Sequence, residues 1–231
     1  MNDKLISVIM SVKNAELTLE DSIFSILNQS YRNFEFLIMD DASEDRTFEI
    51  LKKVSEQDKR VKIYRNEVNL GLTKSLNILI KKSNGSYLAR QDADDVSLAN
   101  RLERQLFYLI NKRNDACTTR AFIKNSQKKI PGLSYYIPIN FSIKFKNPFI
   151  HGTLMIKREV MYKLGLYNEF FYYSQDYYLF KKLIKNKFKI KNINEVHYVL
   201  NTIDNISQNF STDQNYYSKC VKKNILPSIL Y

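Results

Sequence analysis

Hydrophobic residues in the first hundred positions are grouped in short runs that alternate with longer amphipathic segments. Residues 5–10 and 34–39 contain few polar side chains, as strands buried on both faces do. The predicted strands cover residues 5–10, 34–39, 61–64 and 86–91, and the predicted helices cover residues 17–28, 45–57 and 73–82. This alternation predicts an α/β fold with a Rossmann-like, mostly parallel sheet flanked by helices.

Beyond residue 101 the periodic pattern is weaker. Helices are predicted over residues 102–110, 157–164 and 176–185. Residues 118–150 contain three of the four prolines and are predicted to be irregular. Since no linker or internal repeat separates two parts of the chain, we expect one continuous domain with two halves, residues 1–115 and 116–231.

Acidic residues follow two of the predicted strands at the points where they end. Asp40 and Asp41 follow the second strand, and Asp92, Asp94 and Asp95 follow the fourth. Ligands of parallel sheets sit outside the carboxyl ends of the strands, so we expect both clusters at one ligand-binding edge. Clustered carboxylates raise one another's pKa, which favours a hard cation such as Mg²⁺ or Mn²⁺ there. Taken alone, each cluster would be a solvated acidic turn.

Several classes of protein are disfavoured by what the sequence lacks. There is no Gly-x-Gly-x-x-Gly and no Gly-Lys-Ser/Thr, so neither a dinucleotide loop nor a P-loop is predicted. Two cysteines make no disulfide framework, which favours a reducing compartment. The first residues are too polar for a signal peptide, and no run approaches the roughly 20 apolar residues of a membrane span. A cytoplasmic location is therefore expected.

The net charge of +12 lies entirely in the second half. Residues 1–115 carry 18 basic and 18 acidic residues, whereas residues 116–231 carry 18 basic and six acidic ones, with 21 of the 30 Tyr and Phe residues. A basic, aromatic half suggests contact with an anionic, amphipathic surface such as a membrane, although a Lys-rich composition without a partner is the alternative. No nucleic-acid-binding motif is present, so nucleic acid is not expected as a partner.

Several segments, which follow one another along the chain in the family's order, resemble motifs of the family-2 glycosyltransferases. These are GT-A-fold enzymes that build bacterial surface polysaccharides. The matching segments are residues 7–14, 26–31, 40–47, 69–71, 89–95 and 174–179. Within them, Asp92-Ala93-Asp94 resembles the family's Asp-x-Asp metal motif, and the sequence around Asp176 resembles a Glu-Asp-Tyr-x-Leu motif that carries a catalytic base. Together the segments extend over about residues 5–200.

The resemblance implies that a sugar is transferred, with inversion, from a nucleoside diphosphate (a UDP-sugar is favoured) to a hydroxyl of a lipid-linked or surface-glycan acceptor. Residues 1–115 would bind the donor and residues 116–231 the acceptor. Asp94, helped by Asp92 through water, would hold Mn²⁺ or Mg²⁺, and Asp176 would take the acceptor proton. Asp40 or Asp41 would contact the nucleoside. The other donor-binding residues implied are Ser11, Lys13, Asn14, Asn69, Gly71, Arg90, Asp92 and Ala93.

The chain departs from the family pattern at several positions. Ser11 and Lys13 stand where Pro and Tyr are usual, and Gln175 stands where Glu is commoner. Many relatives carry a late His that helps to hold the metal or diphosphate, and Asn201 is the nearest match to it here. The metal site is then either poor in ligands or completed by His151 or His197, and His151 is also a candidate for facing the acceptor.

Asp176 also has a structural interpretation, as a carboxylate stabilised by the N-terminus of its helix by about 0.3–1 kcal/mol. A helix N-terminus lowers a carboxylate's pKa, whereas desolvation by the neighbouring tyrosines and repulsion from other carboxylates raise it. The two rival functions are a sugar nucleotidyltransferase, which typically has a Gly-rich N-terminal loop that this chain lacks, and a non-catalytic binding module. Nucleotide-sugar hydrolysis with and without Mn²⁺ separates all three.

The densest basic stretch in the second half is the sequence-based candidate for contact with an anionic leaflet. It comprises Lys181, Lys182, Lys185, Lys187, Lys189 and Lys191, with Lys219, Lys222 and Lys223 next. Each Lys near such a leaflet contributes about 1 kcal/mol, so a handful would hold the protein there reversibly.

Overall fold

The computed structural model describes residues 4–126, 128–202 and 211–228. One nine-stranded sheet runs through both halves in the order β3-β2-β1-β4-β8-β6-β9-β5, with β7 paired to β6. Its strands are β1 (Ile6–Val12), β2 (Phe34–Asp40), β3 (Val61–Arg65), β4 (Tyr87–Arg90), β5 (Val96–Ser97), β6 (Ala116–Ile123), β7 (Lys129–Ile130), β8 (Met155–Lys157) and β9 (Ile190–Leu200). Strands β1 to β4 are parallel, which confirms the predicted fold class.

Helices cover both faces of the sheet because the longer ones each have one apolar stripe. They are α1 (Leu19–Leu27), α2 (Thr47–Gln57), α3 (Leu72–Lys82), α4 (Arg101–Ile110), α5 (Ile139–Ser142), α6 (Arg158–Lys163), α7 (Gln175–Lys185) and α8 (Ser211–Lys223). Two apolar clusters result, one on each face; α1, α2 and α4 pack into one of them, and α3, α6, α7 and α8 into the other. None of the helices within the described ranges has both the length and the apolar character needed to cross a bilayer.

The prediction that residues 118–150 are irregular is wrong over their first part. Strand β6 continues to Ile123 and forms a parallel pair with β9, a strand that the sequence pattern did not predict. The register of this pair shifts around Arg120, as at a β-bulge, which breaks the period-two alternation of apolar residues. The later part, residues 131–150, contains only short turns of helix. Helix α8 lies in the region after residue 205 for which no element was predicted.

Candidate active site

A cleft of about 780 Å³ opens at the carboxyl ends of β1, β2, β4 and β9. It is lined by residues from both halves of the chain, and they include most of the predicted site residues. The predicted residues at the cleft are Ser11, Lys13, Asn14, Asp41, Asn69, Gly71, Asp92, Asp94, His151 and Asp176. The parallel topology thus brings the two acidic clusters to one edge, as the positions of the strand ends indicated.

The three aspartates after β4 lie in two different environments. Asp92 and Asp94 are partly exposed at the cleft, whereas Asp95 is buried and accepts the backbone N–H of Asn201 at 2.7 Å. Burial, and then the charge of Asp92, raise the pKa of Asp94 to about 6. Burial likewise raises the pKa of Asp95, with the charges of Asp92 and Asp94 adding to it. The cluster therefore has a strong electrostatic preference for a cation.

Two buried arginines supply part of that positive charge from behind the cleft. Arg90 donates from Nη2 to Asp92 Oδ1 at 2.5 Å and from Nη1 to the carbonyl oxygen of Gln91. Arg101 donates from Nη1 to the carbonyl oxygens of Arg90 and Gly152, and its guanidinium lies 5.4 Å from the ring centre of Tyr198. Burial lowers the pKa of Arg101 to about 10, so it remains charged at neutral pH. Arg90 therefore orients Asp92 and does not line the cleft.

Tyr198 and Gly152, which both contact Arg101, also hold Asp92 in position. The backbone N–H of Asp92 donates to the Tyr198 hydroxyl at 3.1 Å. A Cβ added at Gly152 would lie 2.5 Å from Asp92 Oδ2 and 2.6 Å from the Tyr198 oxygen. Because both distances are far below van der Waals contact, only glycine fits beside this carboxylate.

Gly152→Ala should therefore lower the free energy of unfolding by about 1–3 kcal/mol, the usual effect of overpacking. Urea unfolding of the wild type, Gly152→Ala, Tyr198→Phe and the double variant measures it. Tyr198→Phe removes the tyrosine hydroxyl and so relieves one of the two collisions. The double variant should therefore lose less free energy of unfolding than the sum of the two single losses. Strict additivity would mean that the methyl group does not meet Tyr198.

Asp41 and Asp40 have different roles, although they are adjacent. Asp41 lines the cleft and accepts the backbone N–H groups of Leu70 and Gly71, each at 2.8 Å, so it holds the loop that precedes α3. Gly71 has a φ of 81° and faces the ring of Tyr172. Asp40 is buried and pairs with Arg65 at 3.0 Å. Of the two aspartates, only Asp41 lies at the cleft.

Residues with left-handed backbone conformation are found at the rim. Asn14 has a φ of 49° and Ser174 a φ of 56°, and both line the cleft. Asn14 is held by the loop after β2, because its Oδ1 accepts the N–H of Glu44 and its N–H donates to Ser43 Oγ. Such conformations are costly for non-glycine residues and recur at binding sites. Ala93 packs against one of the apolar clusters and is not among the lining residues.

Asp176 lies in the first turn of α7 and reaches the cleft from the second half of the chain. Its Oδ2 accepts a hydrogen bond from Asn147 Nδ2 at 2.6 Å. Burial raises the pKa of Asp176 to about 6, against the lowering effect of backbone N–H groups of the helix and of Asn147, and the charge of Asp92 adds a smaller increase. Desolvation thus changes the pKa of Asp176 more than the helix N-terminus does. The carboxylate is therefore suited to accept a proton near neutral pH.

His151 lies at the cleft, and its Nε2 is 2.7 Å from the Tyr167 hydroxyl. Burial, and then the charge of Arg90, lower the pKa of His151 to about 3, so the ring is neutral at physiological pH. A neutral imidazole can bind a metal or exchange hydrogen bonds with an acceptor. His151 is thus compatible with either of the roles considered for it.

His197 does not lie at the cleft. Successive side chains of a strand point to opposite faces, and in β9 it is Tyr198 that points to Asp92. His197 is buried on the other face, with Nε2 3.0 Å from Glu195. This corrects the expectation that His197 could complete a metal site. Asn201, the nearest match to the family's late His, does line the cleft.

The carboxylates at the cleft fit a divalent cation. Asp92 and Asp94 supply carboxylate oxygens at the cleft. Across the described residues, no three or more His, Cys, Asp or Glu side chains are grouped as the ligands of one metal ion. Mg²⁺ at phosphate-binding sites is typically held by one or two carboxylates together with phosphate oxygens and water. Two carboxylates therefore suffice for such a site.

Three side chains that support the site were not predicted from the sequence. Asn147 lies in a segment without periodicity, 29 residues from its partner Asp176, and no motif marks it. The position of Tyr198 depends on the β6–β9 bulge. Arg101 follows the acidic cluster in the sequence, but its partners are the carbonyl oxygens of Arg90 and Gly152, which no motif marks.

Comparisons with known sequences match this chain over most of its length. Residues 7–165 match the family model described as Glycosyl transferase family 2. An uncharacterised glycosyltransferase of Haemophilus influenzae is 35% identical over 193 residues, which are 76% of this chain and 59% of the relative. The Escherichia coli protein WfgD, named a UDP-Glc:alpha-D-GlcNAc-diphosphoundecaprenol beta-1,3-glucosyltransferase, is 33% identical over 187 residues, which are 80% of this chain and 72% of that protein. The chain thus spans about six tenths of the first of these relatives.

Solved structures with much lower identity share the fold. S. aureus TarS in complex with UDP-GlcNAc superposes with a TM-score of 0.75 at 18% identity, covering 89% of this chain and 60% of that chain. The mannosyltransferase PcManGT of Pyrobaculum calidifontis, in complex with GDP-Man and Mn²⁺, gives a TM-score of 0.74 at 16% identity, covering 96% and 65%. At these identities the likeness shows the fold alone.

Proposed function

Because the chain belongs to glycosyl transferase family 2, we propose that it transfers a sugar, with inversion, from a nucleoside-diphosphate donor to an acceptor hydroxyl. The observation that carries the proposal is the single cleft in which Asp176, with its raised pKa, shares the walls with Asp92 and Asp94. A proton acceptor and a cation-binding pair are the two elements that displacement of a diphosphate by a hydroxyl requires.

The chemical step follows from the proposed roles. Asp176 accepts the proton of the acceptor hydroxyl, while the acceptor oxygen forms a bond to the anomeric carbon. The bond from that carbon to the diphosphate oxygen breaks, and its electron pair leaves with the nucleoside diphosphate. Asp92 and Asp94 would hold Mn²⁺ or Mg²⁺, which stabilises the charge that develops on the leaving group. Asn147 orients the base through its hydrogen bond.

Donor and acceptor would occupy opposite parts of the cleft. We assign the donor to residues of the first half, where Lys13 can reach a phosphate and Asp41 shapes the loop around Gly71. A UDP-sugar is favoured, since WfgD is named for a UDP-Glc donor. The acceptor lies on the side of His151 and Asp176. WfgD is named for a diphosphoundecaprenol acceptor, which supports a lipid-linked glycan as the acceptor.

A donor panel tests the proposal and separates it from its rivals. Each UDP- and GDP-sugar is incubated with the protein and an extract of lipid-linked acceptors, with and without Mn²⁺, and the products are identified. Nucleoside diphosphate together with a glycosylated acceptor of inverted configuration is the expected result. Pyrophosphate exchange would indicate a nucleotidyltransferase, and donor binding without turnover would indicate a non-catalytic module. Either result would overturn the proposal.

The pH profile of the rate should report the titration of Asp176. Since only the ionised carboxylate accepts a proton, the rate should rise with pH through a midpoint of about 6. Asn147→Ala removes a hydrogen bond that favours the ionised form, worth about 1.5 kcal/mol, so the midpoint should rise to about pH 7. Asn147→Asp keeps the acceptor for the N–H of Phe149 and adds a like charge, so its midpoint should also rise. Unchanged midpoints in both variants would exclude Asp176 as the titrating group.

A further inference from the structure

The segment that leads to Asn147 exposes apolar and basic side chains together. Residues 116–158 contain eight basic residues and no acidic residue. Within them, residues 133–146, here called the exposed segment, carry five of the large hydrophobic side chains that face solvent. These are Leu133, Tyr136, Ile137, Phe141 and Phe145, with exposed fractions of 88%, 70%, 40%, 57% and 58%.

Contacts with the protein body hold this segment in place. Ile143 is buried in the core beside α7, and its carbonyl oxygen accepts the Tyr177 hydroxyl at 2.8 Å. The Tyr135 hydroxyl donates to the Asn192 carbonyl oxygen at 3.2 Å. The apolar side chains therefore face outward while neighbouring residues of the same segment pack inward.

The outward face combines the side chains that a bilayer interface binds. Phe141 and Phe145 are four residues apart, and their ring centres lie 5.0 Å from each other. Lys144 and Lys146 flank Phe145 and are exposed. Aromatic rings suit the boundary between head groups and acyl chains, and lysines suit anionic head groups. With no acidic residue in the surrounding stretch, nothing in its sequence opposes a negative surface.

We propose that the exposed segment docks on an anionic lipid bilayer, with the rings of Phe141 and Phe145 in the interface and Lys144 and Lys146 at the head groups. Lys146 is followed at once by Asn147, which binds Asp176, so docking here places the lipid surface beside the cleft. Docking does not depend on catalysis; only its purpose, the delivery of a lipid-linked acceptor, rests on the proposed function.

The exposed segment, and not the group of lysines that is densest in the sequence, is the membrane-binding surface that we propose. Lys181 donates to the carbonyl oxygens of Val221 and Lys222, and Lys182 donates to that of Leu164, so both act within the fold. Lys187, Lys189 and Lys191 are exposed, but they follow the C-terminal end of α7, whereas Asp176 lies at its N-terminal end. An 11-residue helix is about 16 Å long, so a membrane bound there would lie away from the cleft.

Vesicle partitioning of the whole chain tests the proposal without donor or acceptor. The protein is sedimented with vesicles of phosphatidylcholine, with and without half phosphatidylglycerol, at low and at physiological salt. Since the chain contains no Trp, Phe145→Trp provides a single tryptophan whose emission should shift to shorter wavelength on docking. Binding should require the anionic lipid and weaken as salt rises.

Two pairs of variants with matched controls locate the surface. Lys144→Gln/Lys146→Gln should weaken partitioning about 25-fold, about fivefold for each lysine. Phe141→Ser/Phe145→Ser should weaken it at least about tenfold. Lys187→Gln/Lys189→Gln/Lys191→Gln, and the still more exposed apolar pair Leu17→Ser/Val68→Ser, should stay within about twofold of wild type.

Several results would overturn the docking surface. The first is that the protein does not bind anionic vesicles at low salt, and the second is that the emission of Phe145→Trp does not shift. The third is that the control variants lose as much partitioning to vesicles as the segment variants. Self-association that Phe141→Ser/Phe145→Ser abolishes, in a protein that ignores vesicles, would show instead that this face binds a second copy. Donor hydrolysis without vesicles should be unchanged in the segment variants. If sugar transfer to the lipid-linked acceptors is absent from the wild type while vesicles bind, the proposed function fails and the docking surface stands.

Discussion

Asp176→Asn should lower the rate of sugar transfer by about 10²–10⁴-fold while leaving donor binding intact. The amide has the shape of the carboxylate and can still accept the hydrogen bond from Asn147, but it cannot take a proton. The donor-side residues of the cleft are untouched, so the loss should appear in kcat and not in the KM for the donor.

Stability measured on the same preparation separates this role from a purely structural one. Burial raises the pKa of Asp176 to about 6, so the ionised form is disfavoured in the folded protein at pH 7. A neutral amide should therefore leave Tm unchanged or raise it. A carboxylate that only stabilised the N-terminus of α7 would give the opposite result: activity retained and a loss of about 0.3–1 kcal/mol. Glu49→Gln, in the first turn of α2, is the control in which only that helix-terminus effect is expected.

Most of the first half of the fold could be predicted because β1, β2 and β4 are buried on both faces. Their apolar runs place each strand end within about two residues of its position in the structure, as for β2 at Phe34–Asp40. The order of strands and helices then fixes a parallel sheet, and with it the common edge at which Asp41 and Asp92 meet. The fold and the family resemblance are both confirmed.

The second half could not be predicted to the same extent, because tertiary contacts decide it. Strand β9 has a mixed burial pattern, and several of its polar residues have distant partners, such as Glu195 with Arg104 at 2.7 Å. Its bulged pairing with β6 determines that Tyr198 faces Asp92 while His197 faces away, and no local periodicity encodes that choice. The pairing of Asn147 with Asp176 likewise depends on how residues 131–150 fold back on α7.

The electrostatics of the acidic cluster were only partly predictable. Repulsion among the carboxylates indicated a cation, but part of the positive charge comes from Arg90 and Arg101, which are buried behind them. Arg90 therefore supports Asp92 instead of contacting a donor directly. The partial compensation explains how the cluster can exist without a cation, while the raised pKa of Asp94 shows that a preference for positive charge remains.

Asp94→Ala should abolish the metal-dependent part of the transfer rate, a loss of at least about a hundredfold, because stabilising the leaving diphosphate is worth several kcal/mol. Without metal the variant should be as stable as the wild type or more stable, since it loses a carboxylate whose charged form burial and Asp92 disfavour. Two measurements besides activity report on the ion: the rise in Tm on adding Mn²⁺ and donor, and the Mn²⁺ dependence of donor affinity in calorimetry. Both should be lost in Asp94→Ala.

Asp21→Ala, an exposed acidic residue of α1, gives the same change in net charge and should leave all three measurements unaltered. This control is needed because the chain has a net charge of +12, and the loss of any carboxylate changes the electrostatic potential of the whole protein. That change alone could alter the binding of an anionic donor. If Asp94→Ala keeps near-normal turnover in Mn²⁺, the ion is not held by this residue. Lys13, the basic side chain among the described residues that line the cleft, would then be the candidate that offsets the charge of the diphosphate.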